Sequence, residues 1–202
     1  MQKAIFLDKD GTLIEDVPYN VNPSRMLLCP GVLSGVKKLH QAGYLLIVIS
    51  NQSGVARGYF TEAALGPVEQ QLRRMLKVPL AGFYYCPHHP HGSVLEYAYA
   101  CECRKPEPGM LFQAAADHGI DLRQSWFIGD ILNDVEAGRK AGCRTILIDN
   151  GNETEWVLTP DRVPHHTTTD VDLAADYILQ AQHPHSYTPS HEHSRRSNQP
   201  VA

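Results

Sequence analysis

Residues 3–12 of the chain read Lys-Ala-Ile-Phe-Leu-Asp-Lys-Asp-Gly-Thr. The apolar run over residues 4–7 predicts a short buried strand, and Asp8 and Asp10 follow it immediately. Further short apolar runs alternate along the chain with segments that have the pattern of helices. This alternation predicts an α/β fold in which helices cover both faces of a parallel sheet.

The predicted elements follow one another at short intervals. Strands are predicted over residues 4–7, 44–49, 81–85, 126–128 and 145–148, and helices over residues 32–41, 61–77, 108–118, 133–141 and 171–180. Thr61 is the predicted N-cap of the second helix. The pattern is that of a three-layer, Rossmann-like sheet, and its short connections leave no room for a large cap domain. Ligands of such sheets bind at the carboxyl ends of the strands, where Ser50 and Asp130 join the two aspartates.

The bulk composition limits the classes of protein to consider. The chain has 202 residues, 43% of them hydrophobic, which suits one globular domain over residues 1–182. Residues 183–202 are polar and rich in His, Pro and Ser, so we expect a disordered tail there. A net charge of −4 gives no reason to expect a nucleic acid or a membrane as partner. An odd cysteine count of five, with no signal peptide, suits a reducing cytoplasm, and we expect a monomer.

Charged and polar residues at the predicted strand ends suit a phosphate ester. Asp8 and Asp10 can converge on one hard cation such as Mg²⁺ if the backbone bends at Gly11, although the same residues could form a simple turn. Asp130 can add a third carboxylate to that cation. The segment Ser50-Asn51-Gln52-Ser53 offers hydroxyls, amides and backbone N–H groups, and Arg104-Lys105 places two cations before a helix N-terminus.

A second set of residues has the composition of a zinc site. Cys86 and His88 form one close pair, and Cys101 and Cys103 form another after a spacer of twelve residues. Four such ligands suit tetrahedral Zn²⁺ in a loop over residues 86–103, with no position left for water. His89 and His91 are competing ligand candidates, and buried thiols beside surface histidines are the alternative without metal. Cys29 and Cys143 are expected to serve packing alone.

Four segments of the chain resemble the motifs of a known family. The segments Asp8-Lys9-Asp10-Gly11-Thr12, Ser50-Asn51-Gln52-Ser53-Gly54, Arg104-Lys105-Pro106 and Gly129-Asp130, the last followed by Asp134, resemble the four motifs of the haloacid dehalogenase superfamily of phosphatases. The resemblance covers residues 3–150. It is closest to the branch of the heptose 1,7-bisphosphate 7-phosphatases and histidinol-phosphate phosphatases, whose specific segments correspond to residues 51–58 and 85–90.

The resemblance implies a role for each matching residue. Asp8 would attack phosphorus to form an aspartyl-phosphate, and Asp10 would act as general acid and then as general base. Mg²⁺ would be held by Asp8, the Asp10 carbonyl and Asp130, while Ser50 and Lys105 would stabilise the phosphoryl oxygens. Substrate contacts would come from residues of four segments, namely Asp16, Tyr19, Ser50, Asn51, Gln52, Ser53, Arg104 and Lys105. Arg104 would bind the distal part of a small phosphorylated metabolite, such as a second phosphate of a sugar bisphosphate.

Other functions share these motifs. Histidinol-phosphate phosphatases carry the same metal loop and the same Arg-Lys-Pro segment. A non-catalytic module that binds zinc or a phospho-ligand would use the fold without the chemistry, but the joint presence of Asp8, Asp10, Lys105 and Asp130 argues against it. The sequence motifs are the same for a phosphotransferase and a phosphatase, because the phosphoryl group of an aspartyl-phosphate can pass to water or to another acceptor.

Overall fold

The computed structural model describes residues 1–181. The predicted tail over residues 183–202 lies outside the described residues, and so does the last residue of the predicted domain. Within the described part, no helix is long and apolar enough to cross a membrane.

A six-stranded sheet forms the centre of the molecule. Its strands are β1 (Ala4–Leu7), β2 (Leu45–Asn51), β3 (Gly82–Cys86), β4 (Trp126–Gly129), β5 (Arg144–Ile148) and β6 (His166–Thr168). Their spatial order is β3-β2-β1-β4-β5-β6, and every neighbouring pair is parallel. The order changes direction at β1, so the loop after β1 lies at the switch point where ligands of open α/β sheets bind.

Helices cover both faces of the sheet. They are α1 (Val32–Gln41), α2 (Leu65–Leu76), α3 (Gly109–His118), α4 (Leu132–Lys140) and α5 (Val171–Ala181). Ile5 and Leu7 of β1 pack into one apolar cluster with residues of α1, α2 and α5, while Phe6 points into a second cluster with residues of α3 and α4. The alternation along one strand therefore separates two cores, and the predicted three-layer fold is confirmed.

The connections between the strands are short. The chain between β1 and β2 contains a 3-10 turn at Pro23–Arg25 and then α1, and the chain between β2 and β3 contains a 3-10 turn at Glu62–Ala64 and then α2. The segment after β3 adds one short 3-10 turn, Leu95–Tyr97, before α3. No large cap domain is formed by residues 1–181, as predicted.

Some local predictions were wrong. The second helix was predicted from residue 61, but a 3-10 turn precedes α2 and the Thr61 side chain makes no capping hydrogen bond. The edge strand β6 was missed, because the polar sequence His-Thr-Thr has no apolar run and becomes a strand only by pairing with β5. The remaining predicted elements are present, with ends that differ by up to two residues.

Candidate active site

Asp8 begins the loop that leaves β1. Its backbone N–H donates to the Ile128 carbonyl of β4 at 3.0 Å, and its side chain is buried at the carboxyl edge of the sheet. The bend needed after it is made by Gly11, whose φ is +87°. Burial raises the pKa of Asp8, and although the Lys105 ammonium lowers it, the neighbouring carboxylates add to the rise.

Lys105 supplies the cation beside Asp8. Its ammonium contacts the carboxylates of Asp8 and Asp134, the latter at 2.5 Å, and donates to the Ile49 carbonyl at 3.2 Å. Burial acts against the charge, but Asp134 and Asp8 outweigh it and raise the pKa of Lys105. Lys105 is therefore a fixed positive charge at the sheet edge. The Lys105–Pro106 peptide bond is cis.

Three buried carboxylates surround one small space. Oxygen atoms of Asp8, Asp130 and Asp134 all lie within 4.8 Å of one another. Burial, and after it the charge of Asp134, raises the pKa of Asp130 to about 6. One ammonium among three carboxylates leaves an excess of negative charge that a divalent cation would compensate, and an all-oxygen donor set suits Mg²⁺. The residues present therefore fit the metal that the motifs imply.

Asp10 faces a different direction from Asp8. Its carboxylate pairs with the buried Lys9 ammonium at 2.8 Å and accepts from the Gln52 amide at 3.0 Å. The same amide donates to the Ser50 hydroxyl at 2.7 Å. The Asp10 side chain stays partly exposed, whereas its backbone carbonyl accepts no hydrogen bond from the described residues. The carboxylate is thus available to a bound ligand and the carbonyl to a cation.

Asn51 was predicted to contact substrate, and its amide is engaged with the backbone of another motif. Its Nδ2 donates to the Lys105 carbonyl at 3.1 Å, and its Oδ1 accepts from the Lys105 N–H at 3.1 Å. The two hydrogen bonds join the end of β2 to the residue that carries the ammonium. Asn51 therefore fixes the position of Lys105 in addition to lining the cavity described next.

A cavity of about 270 Å³ opens above Asp10. It is lined by residues from three predicted segments and a few neighbours, namely Lys9, Asp10, Asp16, Pro18, Tyr19, Asn20, Asn51, Gln52, Ser53, Gly54 and Phe60. Tyr19, with a φ of +56°, packs edge-on against Tyr59 with 4.5 Å between the ring centroids. The predicted substrate loop over residues 16–19 therefore forms one wall, and the segment after Ser50 forms the other.

Arg104 lies outside this lining, and Arg57 is its neighbour. Arg104 lines a second cavity of about 250 Å³ with His89 and His91, and its guanidinium donates to the His88 carbonyl at 3.4 Å. Burial, and to a lesser extent the charge of Arg57, lowers the pKa of Arg104. The Arg57 guanidinium lies 3.1 Å from the His89 ring, and its buried Nε has no hydrogen-bond partner among the described residues. Neither guanidinium forms an ion pair with a carboxylate of residues 1–181, and the two groups lie close enough to form a cationic pair.

The predicted zinc ligands meet in one cluster. Sulfur atoms of Cys86, Cys101 and Cys103 lie 3.1–3.4 Å apart, and the His88 Nδ1 lies 3.3 Å from the Cys103 sulfur and 3.6 Å from that of Cys86. Such spacing is close to that of ligands around a single tetrahedral Zn²⁺. Contact with the Cys86 thiol lowers the pKa of Cys103 to about 5. The donor set therefore fits zinc.

The competing histidines lie outside this cluster. His89 contacts Arg57 and accepts from the His91 backbone N–H at 3.1 Å. The Tyr99 hydroxyl lies 2.6 Å from the Nε2 of His88, which leaves Nδ1 directed at the sulfur atoms. Cys29 and Cys143 pack against the two apolar cores, as expected.

Sequence reasoning missed three contributors to the site. Lys9 was passed over between the two aspartates, although it is 1% exposed and pairs with Asp10. Asp134 was noted only as part of a motif, yet it holds Lys105. The loop after β5 had no role assigned, and the side chain of its Asn152 reaches Asp130. The signal available for Lys9 and Asp134 was a charged residue inside a motif at the end of a predicted strand, whereas no local pattern indicates Asn152.

Comparison with known proteins gives concordant results. A family model described as HAD-hydrolase-like matches residues 102–174. The D-glycero-beta-D-manno-heptose-1,7-bisphosphate 7-phosphatase of Salmonella typhi is 41% identical over 167 residues, which cover 77% of this chain and 89% of that protein. The protein of the same name from Pasteurella multocida is 42% identical over 185 residues, which cover 90% of this chain and 93% of that protein.

The fold is likewise similar to a solved structure. The D,D-heptose 1,7-bisphosphate phosphatase from B. bronchiseptica, complexed with magnesium and phosphate, matches with a TM-score of 0.76 at 31% identity. The match covers 89% of this chain and 99% of that protein.

Proposed function

The chain belongs to the D-glycero-beta-D-manno-heptose-1,7-bisphosphate 7-phosphatase family of HAD-like hydrolases, and we propose that it removes the 7-phosphate of that sugar bisphosphate through an aspartyl-phosphate on Asp8. The observation that carries the proposal is the placement of Lys105 against Asp8, with the Asp10 carboxylate facing the adjacent cavity. A nucleophile, a cation and a partly exposed acid–base group are the parts that phosphoryl transfer to an aspartate requires.

In the first half-reaction an Asp8 oxygen forms a bond to phosphorus and the bond between phosphorus and the ester oxygen breaks. Asp10, in its protonated form, gives its proton to the leaving sugar alkoxide. Lys105 and the Ser50 hydroxyl stabilise the negative charge on the phosphoryl oxygens. Gln52 donates to both Ser50 and Asp10, so it holds the hydroxyl and the acid in a fixed relation.

In the second half-reaction water replaces the sugar. Asp10, now ionised, accepts a proton from the water whose oxygen attacks phosphorus. The bond between phosphorus and the Asp8 oxygen breaks, which releases inorganic phosphate and restores both carboxyl groups. Because Asp10 serves as acid in one step and as base in the other, a single residue two positions after the nucleophile is sufficient.

We propose Mg²⁺ as the resident cation of the carboxylate cluster, held by Asp8, the Asp10 carbonyl and Asp130. The excess of carboxylate over ammonium supports this assignment. When bound, Mg²⁺ supplies charge neutralisation that lets a carboxylate approach a phosphate dianion. Asp134, the third carboxylate of the cluster, holds the Lys105 ammonium.

The cationic pair of Arg57 and Arg104 favours a bisphosphate. A second phosphate would find two guanidinium groups that lack a carboxylate partner among the described residues. Histidinol phosphate, the alternative, carries a protonated amine that the same pair would repel. This difference supports a sugar bisphosphate as the substrate.

We assign a structural role to zinc at Cys86, His88, Cys101 and Cys103. Four protein ligands leave no position for a reacting water. Arg104 and Lys105 directly follow Cys103, so the metal would fix the segment that delivers both cations.

Three broader expectations remain part of the proposal. None of the five cysteines, all of which lie within the described residues, forms a disulfide, which supports a reducing cytoplasm. A net charge of −4 supports a small metabolite rather than nucleic acid or a membrane as partner, and we propose a monomer.

Transfer of the phosphoryl group to an acceptor other than water is the remaining enzymatic alternative.

The test is a phosphate-release assay with Mg²⁺ and three substrates, the two anomers of D-glycero-D-manno-heptose 1,7-bisphosphate and histidinol phosphate. We expect the highest kcat/KM for a heptose bisphosphate, with one phosphate released per sugar. A higher kcat/KM on histidinol phosphate would reject the substrate assignment. Release of sugar without stoichiometric inorganic phosphate when alcohol acceptors are added would favour a phosphotransferase.

A further inference from the structure

The loop after β5 is tied to the candidate active site by three side chains. Asn150 donates through Nδ2 to the Gly11 carbonyl at 2.7 Å. Asn152 donates through Nδ2 to Oδ2 of Asp130 at 2.7 Å. Glu153 accepts from the Leu132 N–H, in the first turn of α4, at 2.6 Å. The loop therefore connects the segment after the nucleophile, the metal-binding carboxylate and the start of α4.

Asp130 is held from both of its oxygens. Oδ1 accepts from the Thr12 hydroxyl at 3.0 Å, and Oδ2 accepts from Asn152. Both donors, a hydroxyl and an amide, are neutral, whereas the Lys105 ammonium contacts Asp8 and Asp134 instead. Neutral donors orient a carboxylate without neutralising it, which leaves its charge available to a cation.

The contact of Asn152 depends on the close approach of the nucleophile loop. A Cβ added to Gly11 would lie 2.0 Å from Oδ2 of Asp130 and 2.4 Å from Nδ2 of Asn152. Residue 11 must therefore lack a side chain for this hydrogen bond to form. The Asn152 residue is otherwise exposed, so the hydrogen bond to Asp130 is its main interaction with the site.

We propose that Asn152 is a positioning residue that sets the orientation of Asp130 for the divalent cation. It acts through Asp130 and touches neither the phosphate nor the sugar. The inference rests on the proposed function only for the identity of the cation site. It adds to the four motifs a residue from the loop after β5, which none of them contains.

The test compares Asn152→Ala with Thr154→Ala. Thr154 lies in the same loop and is exposed, and its side chain makes no hydrogen bond to the other described residues. Binding of Mn²⁺ to each protein is measured by calorimetry without substrate, and the Mg²⁺ concentration for half-maximal phosphate release is measured separately. We expect Asn152→Ala to lower the Mn²⁺ affinity roughly tenfold and to raise the Mg²⁺ concentration for half-maximal release by a similar factor. This is the size of effect typical for residues that orient metal ligands. Thr154→Ala should match the wild type, and kcat of Asn152→Ala should recover at saturating Mg²⁺.

Melting of the metal-free proteins separates positioning from folding. Because Asn152 is exposed, its truncation should leave the melting temperature in chelator close to that of the wild type. Unchanged Mn²⁺ affinity in Asn152→Ala, or an equal loss in Thr154→Ala, would overturn the inference. Mn²⁺ binding that weakens as expected in a protein inactive on heptose bisphosphate would instead reject the substrate and leave the role of Asn152 intact.

Discussion

The side-chain amide of Asn51 makes two hydrogen bonds, both of 3.1 Å, to the backbone of Lys105. The two residues lie 54 positions apart, and this double contact joins the end of β2 to the segment that follows the cysteine cluster. Without it, the Lys105 ammonium would depend on its two carboxylate partners and on the Ile49 carbonyl alone.

We therefore expect Asn51→Ala to lower kcat by about 10- to 100-fold, the range for a reacting group displaced by about an ångström. KM should change less, because the substrate pocket keeps its other walls. Steady-state kinetics on the preferred substrate measures both. Ser53→Ala is the comparison, since Ser53 lines the cavity and its change should raise KM more than it lowers kcat. The opposite pattern for Asn51→Ala, a raised KM at full kcat, would make Asn51 a substrate ligand only.

The nucleophile is tested by Asp8→Asn. An amide cannot form the covalent intermediate, so kcat should fall by more than about a thousandfold. The change also removes a buried carboxyl group whose pKa is raised by burial and by three other carboxylates, which means that its ionised form destabilises the folded state. The metal-free Asp8→Asn protein should therefore melt at a higher temperature than the metal-free wild type. Residual activity above about a thousandth of wild type would argue against nucleophilic catalysis by Asp8.

Much of this arrangement could be predicted because it depends on short-range patterns. The apolar runs and the helix signals located five strands and five helices, and the rule for parallel sheets then placed Asp8, Ser50 and Asp130 at one edge. The strand β6 could not be predicted, since its residues are polar and its conformation comes from pairing with β5. The contacts Asn51–Lys105, Lys105–Asp134 and Asn152–Asp130 were likewise hidden, because they join segments that are distant in sequence and leave no local pattern.

The cysteine cluster gives a prediction about stability. Cys101→Ser should abolish stoichiometric zinc, lower the melting temperature and reduce activity, because a structural zinc contributes on the order of 10 kcal/mol to the folding of its loop. Metal content by atomic absorption, thermal melting and kcat measure the three effects. Cys29→Ser, which changes a cysteine outside the cluster, should keep its zinc. A Cys101→Ser protein with wild-type stability and activity in the presence of chelator would refute the structural role.

Cys143 should make stability depend on pH above 9. Burial raises the pKa of this thiol from its ordinary value of 9.0 to about 12. The folded state therefore keeps the proton over a range where the unfolded chain releases it, so the stabilisation is complete below pH 9 and is lost as pH rises toward 12.

Between those limits the loss should be roughly 1.4 kcal/mol per pH unit. Denaturant unfolding at pH 8, 9 and 10 compares the wild type with Cys143→Ala. Since other groups titrate in both proteins, the difference between their free energies of unfolding isolates the thiol. A difference that does not vary with pH would show that Cys143 ionises equally in both states.

Gly11 and Gly142 allow the strain of a positive φ to be separated from crowding at the metal site. Their φ values are +87° and +85°, but a Cβ at Gly11 would lie 2.0 Å from Oδ2 of Asp130, whereas a Cβ at Gly142 would have nothing within 4 Å. Gly142→Ala should therefore lose only the backbone preference, about 1–2 kcal/mol, with full Mg²⁺ dependence retained. Gly11→Ala should lose that amount and also displace Asp130 or Asn152, since both atoms occupy the space that the methyl group needs.

We expect Gly11→Ala to require a higher Mg²⁺ concentration for half-maximal activity and to bind Mn²⁺ more weakly than Gly142→Ala. Denaturant unfolding measures the stability of each variant, so that the two are compared where both are folded, and calorimetry gives the Mn²⁺ affinity. If the two variants lose stability equally and both retain wild-type metal affinity, the contact between the nucleophile loop and Asp130 is not needed for the cation site. A loss of affinity confined to Gly11→Ala would instead show that the close packing of residue 11 against Asp130 shapes that site.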